Sequence, residues 1–140
     1  MSTGLTLTLT SRLTEIGRLS TAVEAFGAEH HLQDSVLFAL NLSLDEVVTN
    51  IICYAFTDAQ EHPITVRLSL EGNMCCAEVV DEGWPFNPLN VPTPDLDAPV
   101  DARRIGGLGM HIVREMMDEL DYRREEDRNV LTLKKRLTPP

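Results

Sequence analysis

The stretch LSLDEVVTNIICYAF, from Leu42 to Phe56, decides how the rest of this chain is arranged. Around it, apolar residues recur at the spacing of an α-helix that buries one face: Leu40, Leu44, Val47 and Ile51. At ~100° per residue, Glu46 and Asn50 lie one turn apart along one edge of that face, whereas Asp45 and Thr49 point away from it. A carboxylate in this place can serve as a general base or as a partner of Mg²⁺, and the amide oxygen is a hard neutral ligand for the same ion. The pattern is also compatible with a half-buried polar pair at a helix–sheet rim, since polar residues four apart are common on helices.

Composition and charge limit the classes of function. The chain has 140 residues, of which 43% are hydrophobic, and a formal net charge of −10. We expect a single domain over residues 1–140, because this length suits one hydrophobic core. The negative charge argues against direct binding of nucleic acid, which requires Lys and Arg to neutralise phosphates. It does not argue against a nucleotide, whose phosphates can be held locally by backbone N–H groups and one metal ion.

Cysteine usage and hydropathy predict a cytoplasmic protein. The three cysteines are Cys53, Cys75 and Cys76, an odd number without a Cys-x-x-Cys motif. This pattern indicates reduced thiols, with neither a disulfide framework nor a zinc site. We find no basic segment followed by an apolar run at the N-terminus and no apolar run long enough to span a bilayer, so we expect no membrane partner.

The first half of the chain predicts a strand, two helices and a hairpin. Alternation of Leu and Thr over residues 4–10 indicates a half-buried strand, and Ser11 is expected to cap a first helix. The chain then breaks at residues 27–31, and a second helix runs from about residue 33 to residue 56. Gly72-Asn73 indicates a tight turn between a strand that starts at Pro63 and a return strand over residues 74–81. The apolar stripe of the first helix consists of Leu13, Ile16, Leu19, Val23 and Phe26.

The second half predicts a long loop, a helix and another hairpin. The loop, about residues 84–106, contains five prolines, and loops of this length are usually lids, binding loops or disordered segments. A third helix follows, and two final strands, about residues 120–126 and 129–137, turn around Asp127-Arg128. The expected apolar face of the third helix consists of Ile112, Val113, Met116 and Met117.

Asp81-Glu82-Gly83-Trp84-Pro85-Phe86 is a second candidate site. By period two, Asp81 ends its strand on the apolar face, where an unpaired carboxylate is costly. The exocyclic amino group of adenine is a donor that would pair with it, and Gly83 would let a base or sugar approach the backbone. The same residues also suit a plain turn.

Gly106-Gly107-Leu108-Gly109 is a third candidate. Glycines before a helix let backbone N–H groups surround an anion, and the helix N-terminus adds a favourable dipole. Arg103 and Arg104 just upstream can supply positive charge. A flexible hinge would have the same composition, and a lone Gly-x-Gly is weak evidence.

In this order, the three candidates resemble the motifs of the GHKL family of ATP-binding proteins, and most closely its anti-sigma-factor serine kinase branch. The first motif is similar to Glu46-Val47-Val48-Thr49-Asn50, and the second to Asp81-Glu82-Gly83-Trp84-Pro85-Phe86-Asn87-Pro88. The third is similar to Gly106-Gly107-Leu108-Gly109-Met110-His111-Ile112-Val113. The resemblance covers nearly the whole chain.

The resemblance implies an α+β fold, a two-layer sandwich of the Bergerat type with helices on one face of a mixed, mostly antiparallel sheet. It also implies that ATP binds between the helices and the lid. Glu46 would be the general base, Asn50 would ligate Mg²⁺, and Asp81 would bind the adenine amino group. Further nucleotide-binding residues by the same resemblance are Gly83, Phe86, Arg103, Arg104, Gly106, Gly107, Leu108, Gly109 and Met110.

Two positions depart from the family pattern. Tyr54 stands where relatives often carry His. Asn129 stands where many members have the threonine of a Gly-Thr pair, and it shares a strand face with Leu131 and Leu133. Its amide can hold a water beside Asp81, so Asn129 is retained among the nucleotide-binding residues.

By the same resemblance, the substrate would be a serine or threonine of a STAS-type anti-anti-sigma protein, and a sigma factor would be sequestered. Homodimerisation through the first strand and helix is a further expectation from the family. A binding module that sequesters a partner without phosphate transfer is the alternative, although such a module has no need of Glu46. A structural protein with a hinge-rich loop is a third interpretation.

Overall fold

The computed structural model describes residues 4–58, 60–90 and 107–137. Within them, five strands and three α-helices follow one another as β1 (Gly4–Thr10), α1 (Ile16–Glu29), α2 (Asp34–Tyr54), β2 (Pro63–Glu71), β3 (Met74–Asp81), α3 (Gly107–Met116), β4 (Glu119–Glu125) and β5 (Arg128–Arg136). Two 3-10 turns, Leu13–Glu15 and Pro88–Asn90, precede α1 and follow β3. Of the predicted lid, only residues 84–90 belong to the described part.

The five strands form one sheet in the order β1-β2-β3-β5-β4, and all of these pairings are antiparallel. Gly72, with φ of +59°, makes the predicted turn between β2 and β3, where a left-handed backbone favours glycine. Side chains alternate between the faces, and one face is buried along each central strand. Its buried apolar residues are Ile64, Val66, Leu68, Cys75, Ala77, Val79, Leu131 and Leu133.

The helices cover this buried face, which confirms the predicted two-layer α+β sandwich. Helix α2 lies in the centre and contacts both α1 and α3. Its predicted stripe is fully inside, since Leu40, Leu44 and Val47 have no exposed surface. Gly27 of α1 lies so close to α2 that an added Cβ would come within 2.7 Å of Leu37 Cδ1. The two layers therefore share a single core.

Helix α2 is long and apolar enough to cross a membrane by length and composition alone. Half of the residues in its most apolar window are buried within the molecule. In this structure its apolar face packs on the sheet, as expected for the central helix of a core.

The start of α1 differs from the prediction. Ser11 does not cap a helix: its Oγ accepts a hydrogen bond from the backbone N–H of His62 at 2.9 Å. Helix α1 begins only at Ile16, after the 3-10 turn, and Leu13 is 53% exposed. The predicted break at residues 27–31 starts later than expected, because α1 continues to Glu29 and the chain leaves the helix at His30.

Val113 of α3 and Met117, which directly follows the helix, are buried as predicted, but Ile112 is 39% exposed. Met110 is buried in its place. The buried positions of α3 and of the residue after it are therefore spaced by three and four residues, whereas the predicted pair at 112 and 113 could not both face the core.

Candidate functional site

Four strands place one residue each in a row across the sheet. In the antiparallel register, Ile64 of β2 pairs with Asp81 of β3, Asp81 pairs with Asn129 of β5, and Asn129 pairs with Arg124 of β4. Because paired residues share a face, the polar side chains of this row lie next to one another on the helix side of the sheet. The row lies at the end of β3, where the second predicted motif begins.

Asp81 is 2% exposed, so the prediction that it ends β3 on the buried face is confirmed. Its Oδ1 accepts hydrogen bonds from Gly83 N at 2.9 Å and from Asn129 Nδ2 at 3.0 Å. In the described part of the chain, Oδ2 receives no hydrogen bond. Burial raises the pKa of Asp81, although the hydrogen bonds from Asn129 and Gly83 and the charge of Arg124 act in the opposite direction. One carboxylate oxygen therefore remains available to a donor.

Gly83 packs against the C-terminal end of α2. An added Cβ at this position would lie 2.4 Å from the carbonyl oxygen of Ala55. The next residue, Trp84, donates its backbone N–H to the same carbonyl at 2.9 Å. The structure thus gives a packing reason for this glycine, whereas close approach of a base or sugar stays a prediction.

Asn129 is 2% exposed and lies at the centre of the row. It donates a hydrogen bond directly to Asp81, whereas the predicted water beside Asp81 stays a prediction. Its Nδ2 also donates to the carbonyl of Trp84 at 2.7 Å. Its Oδ1 accepts hydrogen bonds from Phe86 N at 3.1 Å, from Arg124 Nη1 at 3.2 Å and from the hydroxyl of Tyr122.

Tyr122 and Arg124 were not predicted from the sequence. They share one face of β4 by period two, and the β4–β5 register brings Arg124 opposite Asn129. Arg124 also donates to the carbonyl of Gly83 at 2.8 Å. The sequence offers one signal for them: polar residues occupy positions 122 and 124, which lie near Asn129 when the two strands of the predicted hairpin are paired.

Asn50 presents the clearest unsatisfied group of the site. The residue has no exposed surface, and neither its Oδ1 nor its Nδ2 has a hydrogen-bond partner among the described residues. A buried, unpaired amide is costly, so a native structure that retains one calls for an explanation. A hard cation beside Oδ1 would satisfy this oxygen, so the chemistry of the residue is compatible with the predicted Mg²⁺ ligand, which stays a prediction.

Glu46 lies one turn before Asn50 and is half-buried. Desolvation raises the pKa of Glu46, and the nearby charge of Asp45 raises it further. Asp45 itself accepts a hydrogen bond from Thr49 Oγ1 at 3.3 Å. A carboxylate with a raised pKa is a stronger base than an exposed one, as general base catalysis requires.

The described residues contain no group of three or more His, Cys, Asp or Glu side chains that could hold a metal ion. An all-protein metal cage is therefore not built into the described part. Mg²⁺ is commonly held through one or two protein ligands together with substrate phosphates, and Asn50 fits that arrangement.

The remaining predicted residues surround this region only in part. Phe86 lies 6.0 Å from Tyr54 between ring centroids, and the two rings are tilted by 43°. Helix α3 starts at Gly107, so the N-terminus of a helix lies at the predicted phosphate-binding residues Gly107, Leu108 and Gly109. Met110 is buried. Arg103, Arg104 and Gly106 lie outside the described residues.

Comparison with known proteins identifies one matching family and two related protein kinases. Residues 9–135 match the family described as the histidine kinase-like ATPase domain. The serine/threonine-protein kinase BtrW of Bordetella bronchiseptica is 32% identical over 104 residues, which are 73% of this chain and 72% of that protein. The serine-protein kinase RsbW of Listeria monocytogenes is 25% identical over 99 residues, which are 68% of this chain and 63% of that protein.

A solved structure shows the same fold. It contains the RsbU and RsbW domains of Rv1364c from Mycobacterium tuberculosis and superposes with a TM-score of 0.70 at 20% identity. The match covers 98% of this chain and 33% of the mycobacterial chain. At this identity, the match supports the fold of the sandwich.

Proposed function

The chain belongs to the histidine kinase-like ATPase domain family, and we propose that residues 1–140 form one ATP-binding domain that acts as a serine/threonine-protein kinase. Its membership of this family supports the use of ATP. The names of the Bordetella and Listeria relatives support transfer of phosphate to a protein hydroxyl. The observation that carries the proposal is the buried, unpaired amide of Asn50 one turn from the half-buried carboxylate of Glu46.

In this proposal, different residues bind the adenine, the phosphates and the metal ion. Asp81 accepts a hydrogen bond from the amino group of adenine at Oδ2, and the N-terminus of α3 with Gly107, Leu108 and Gly109 holds the phosphates. Arg103, Arg104 and Gly106 are proposed to contact the phosphates as well. Asn50 holds Mg²⁺, which when bound neutralises phosphate charge.

The proposed reaction transfers the γ-phosphoryl group of ATP to a hydroxyl group of the protein substrate. The hydroxyl oxygen of the protein substrate forms a bond to the γ-phosphorus, the bond between the γ-phosphorus and the bridging oxygen breaks, and ADP leaves. Glu46 accepts the proton of that hydroxyl. Because burial raises the pKa of Glu46, the carboxylate binds this proton more readily than an exposed glutamate would.

The protein partners and the location that we propose are more specific than what the comparisons with known proteins identify. We propose a STAS-type anti-anti-sigma protein as substrate, a sigma factor as the sequestered partner, and a cytoplasmic location. The support is the order of the three motifs together with the relatives named as kinases. A homodimer is proposed on the same basis.

Glu46→Gln tests the enzyme against the alternative of a binding module. The substitution keeps the size of the side chain and removes its basicity, so phosphate transfer to a STAS protein should fall by at least ~10²-fold while ATP affinity is retained. Glu115→Gln is the matched control, because it is the same substitution at an exposed glutamate of α3 whose charge is not among those that shift the pKa of Glu46. Its rate should stay close to that of the parent.

The measurement is transfer of labelled phosphate from ATP, with ATP affinity followed by calorimetry. If Glu46→Gln transfers phosphate at the parental rate, Glu46 is not the base. If the parent binds ATP and a STAS partner but never transfers phosphate, the binding-module alternative replaces the kinase.

A further inference from the structure

The amide of Asn129 can adopt only one orientation in this fold. Its Nδ2 faces two acceptors, Asp81 Oδ1 and the carbonyl of Trp84, and its Oδ1 faces three donors. Turning the amide over would place donors against donors and acceptors against acceptors. The hydrogen-bond network therefore fixes which atom of Asn129 meets Asp81.

This orientation in turn fixes the carboxylate of Asp81. Two N–H donors, from Asn129 and from the backbone of Gly83, occupy Oδ1 and hold the plane of the carboxylate. Only Oδ2 is left to meet a ligand. Without the donor from Asn129, the carboxylate could turn, and either oxygen could accept a proton or a hydrogen bond from another group.

We propose that Asn129, held by Tyr122 and Arg124, is the positioning residue that sets base selectivity at this site. The proposal rests on the ATP site proposed above. A fixed acceptor pairs with the exocyclic amino group of adenine, whereas the carbonyl at the same position of guanine would set two acceptors face to face. A carboxylate that turns or takes up a proton would discriminate less between these bases.

Tyr122 and Arg124 support Asn129 from the edge of the sheet. Both are on β4 and donate to Asn129 Oδ1. Arg124 also donates a hydrogen bond to the carbonyl oxygen of Gly83, and the N–H of Gly83 is the second donor to Asp81. Thus the two residues hold both hydrogen-bond partners of Asp81, and the charge of Arg124 also acts on Asp81 directly.

The chain offers a matched control for Arg124. Arg123 is its neighbour on β4, but it faces the other side of the sheet and pairs with Glu125 at 2.8 Å. It has the same charge and lies on the same strand. Arg123→Gln should therefore leave the selectivity unchanged, and any general effect of removing a positive charge from β4 would show in it.

The test is the ratio of the dissociation constants of GTP and ATP, measured by calorimetry for the parent and for Tyr122→Phe, Arg124→Gln, Asn129→Asp and Arg123→Gln. The parent should prefer ATP by at least ~10-fold. Tyr122→Phe and Arg124→Gln should each lower the ratio about threefold to tenfold, the range expected for one hydrogen bond. Asn129→Asp keeps the shape but replaces the donor with a second carboxylate, which favours a proton shared with Asp81, so it should lower the ratio most.

A purely structural role would weaken both nucleotides equally and leave the ratio unchanged, which would overturn the proposal. If Asn129→Asp does not fold, Tyr122→Phe and Arg124→Gln still decide it, because they lie at the rim of the network. If the parent binds neither nucleotide, the proposed function fails. If the parent selects ATP and the variants select it equally well, the proposed role of Asn129 is refuted and the proposed ATP site is not.

Discussion

Replacing Gly83 with alanine tests whether the turn after β3 is held against the end of α2. An added Cβ would lie 2.4 Å from the carbonyl oxygen of Ala55 and 2.9 Å from its Cβ. These atoms belong to the end of a helix that is packed into the core, so the turn itself must move away. That movement would strain the hydrogen bonds from Trp84 N to Ala55 O and from Gly83 N to Asp81.

The size of the effect follows from these contacts. Overpacking a filled site typically costs about 1–3 kcal/mol. Each of the two hydrogen bonds contributes about 0.5–1.5 kcal/mol. We therefore expect Gly83→Ala to lower the free energy of unfolding by about 2–6 kcal/mol. Because Gly83 N holds Asp81, the affinity for ATP should fall as well.

Gly17→Ala is the control. Gly17 lies exposed in α1, and an added Cβ would meet nothing within 4 Å. Alanine in this helix should raise the free energy of unfolding by about 0.5–1 kcal/mol. Urea unfolding followed by circular dichroism measures both variants. If Gly83→Ala is as stable as the parent, the close packing between the turn and α2 is not as described.

Two further substitutions separate stability from binding. Asn50→Leu replaces a buried, unpaired amide with an apolar side chain of the same branched shape but larger volume. The gain of about 1–3 kcal/mol from removing the amide is then offset by overpacking of similar size, so the free energy of unfolding should change little while ATP binding loses its dependence on Mg²⁺. A loss of more than about 3 kcal/mol in urea unfolding would contradict the unpaired state. In Asp81→Asn the cost of a buried charge disappears. Since the folded pKa of Asp81 is raised, the parent loses stability as pH rises through that pKa, and its deficit relative to Asp81→Asn should be larger at pH 7 than at about pH 4. Equal pH dependence of urea unfolding in the two proteins would show that Asp81 is not buried in its charged form.

The sequence predicted those features that depend on local periodicity. Helix α2 runs over Asp34–Tyr54, close to the predicted range of 33–56, because its apolar residues repeat with the helical period over its whole length. The return strand over residues 74–81 has the predicted bounds, because Gly72 fixes the turn and therefore the register. The burial of Asp81 followed from that register.

The features that were predicted wrongly, or not predicted, depend on contacts between distant segments of the chain. Ser11 has the residue type of a cap, but the backbone of His62 competes for its hydroxyl from 51 positions away. The support of Asn129 by Tyr122 and Arg124 depends on the exact pairing of β4 with β5, which composition does not reveal. Gly83 was explained by an approaching ligand, since nothing in its local sequence indicates that the end of α2 lies against it.

The order of the strands has a consequence for how the chain is made. Strand β3 lies between β2 and β5, and β5 is the last strand among the residues that the structure describes. During synthesis from the N-terminus, one edge of β3 therefore stays open until residues 128–136 have left the ribosome. Asp81 lacks the donor from Asn129 until the same moment, so the base-binding end of the site matures only with the C-terminal hairpin. Pairing of this kind between distant segments closes long loops and slows folding, and an unpaired central strand is a point where nascent chains associate.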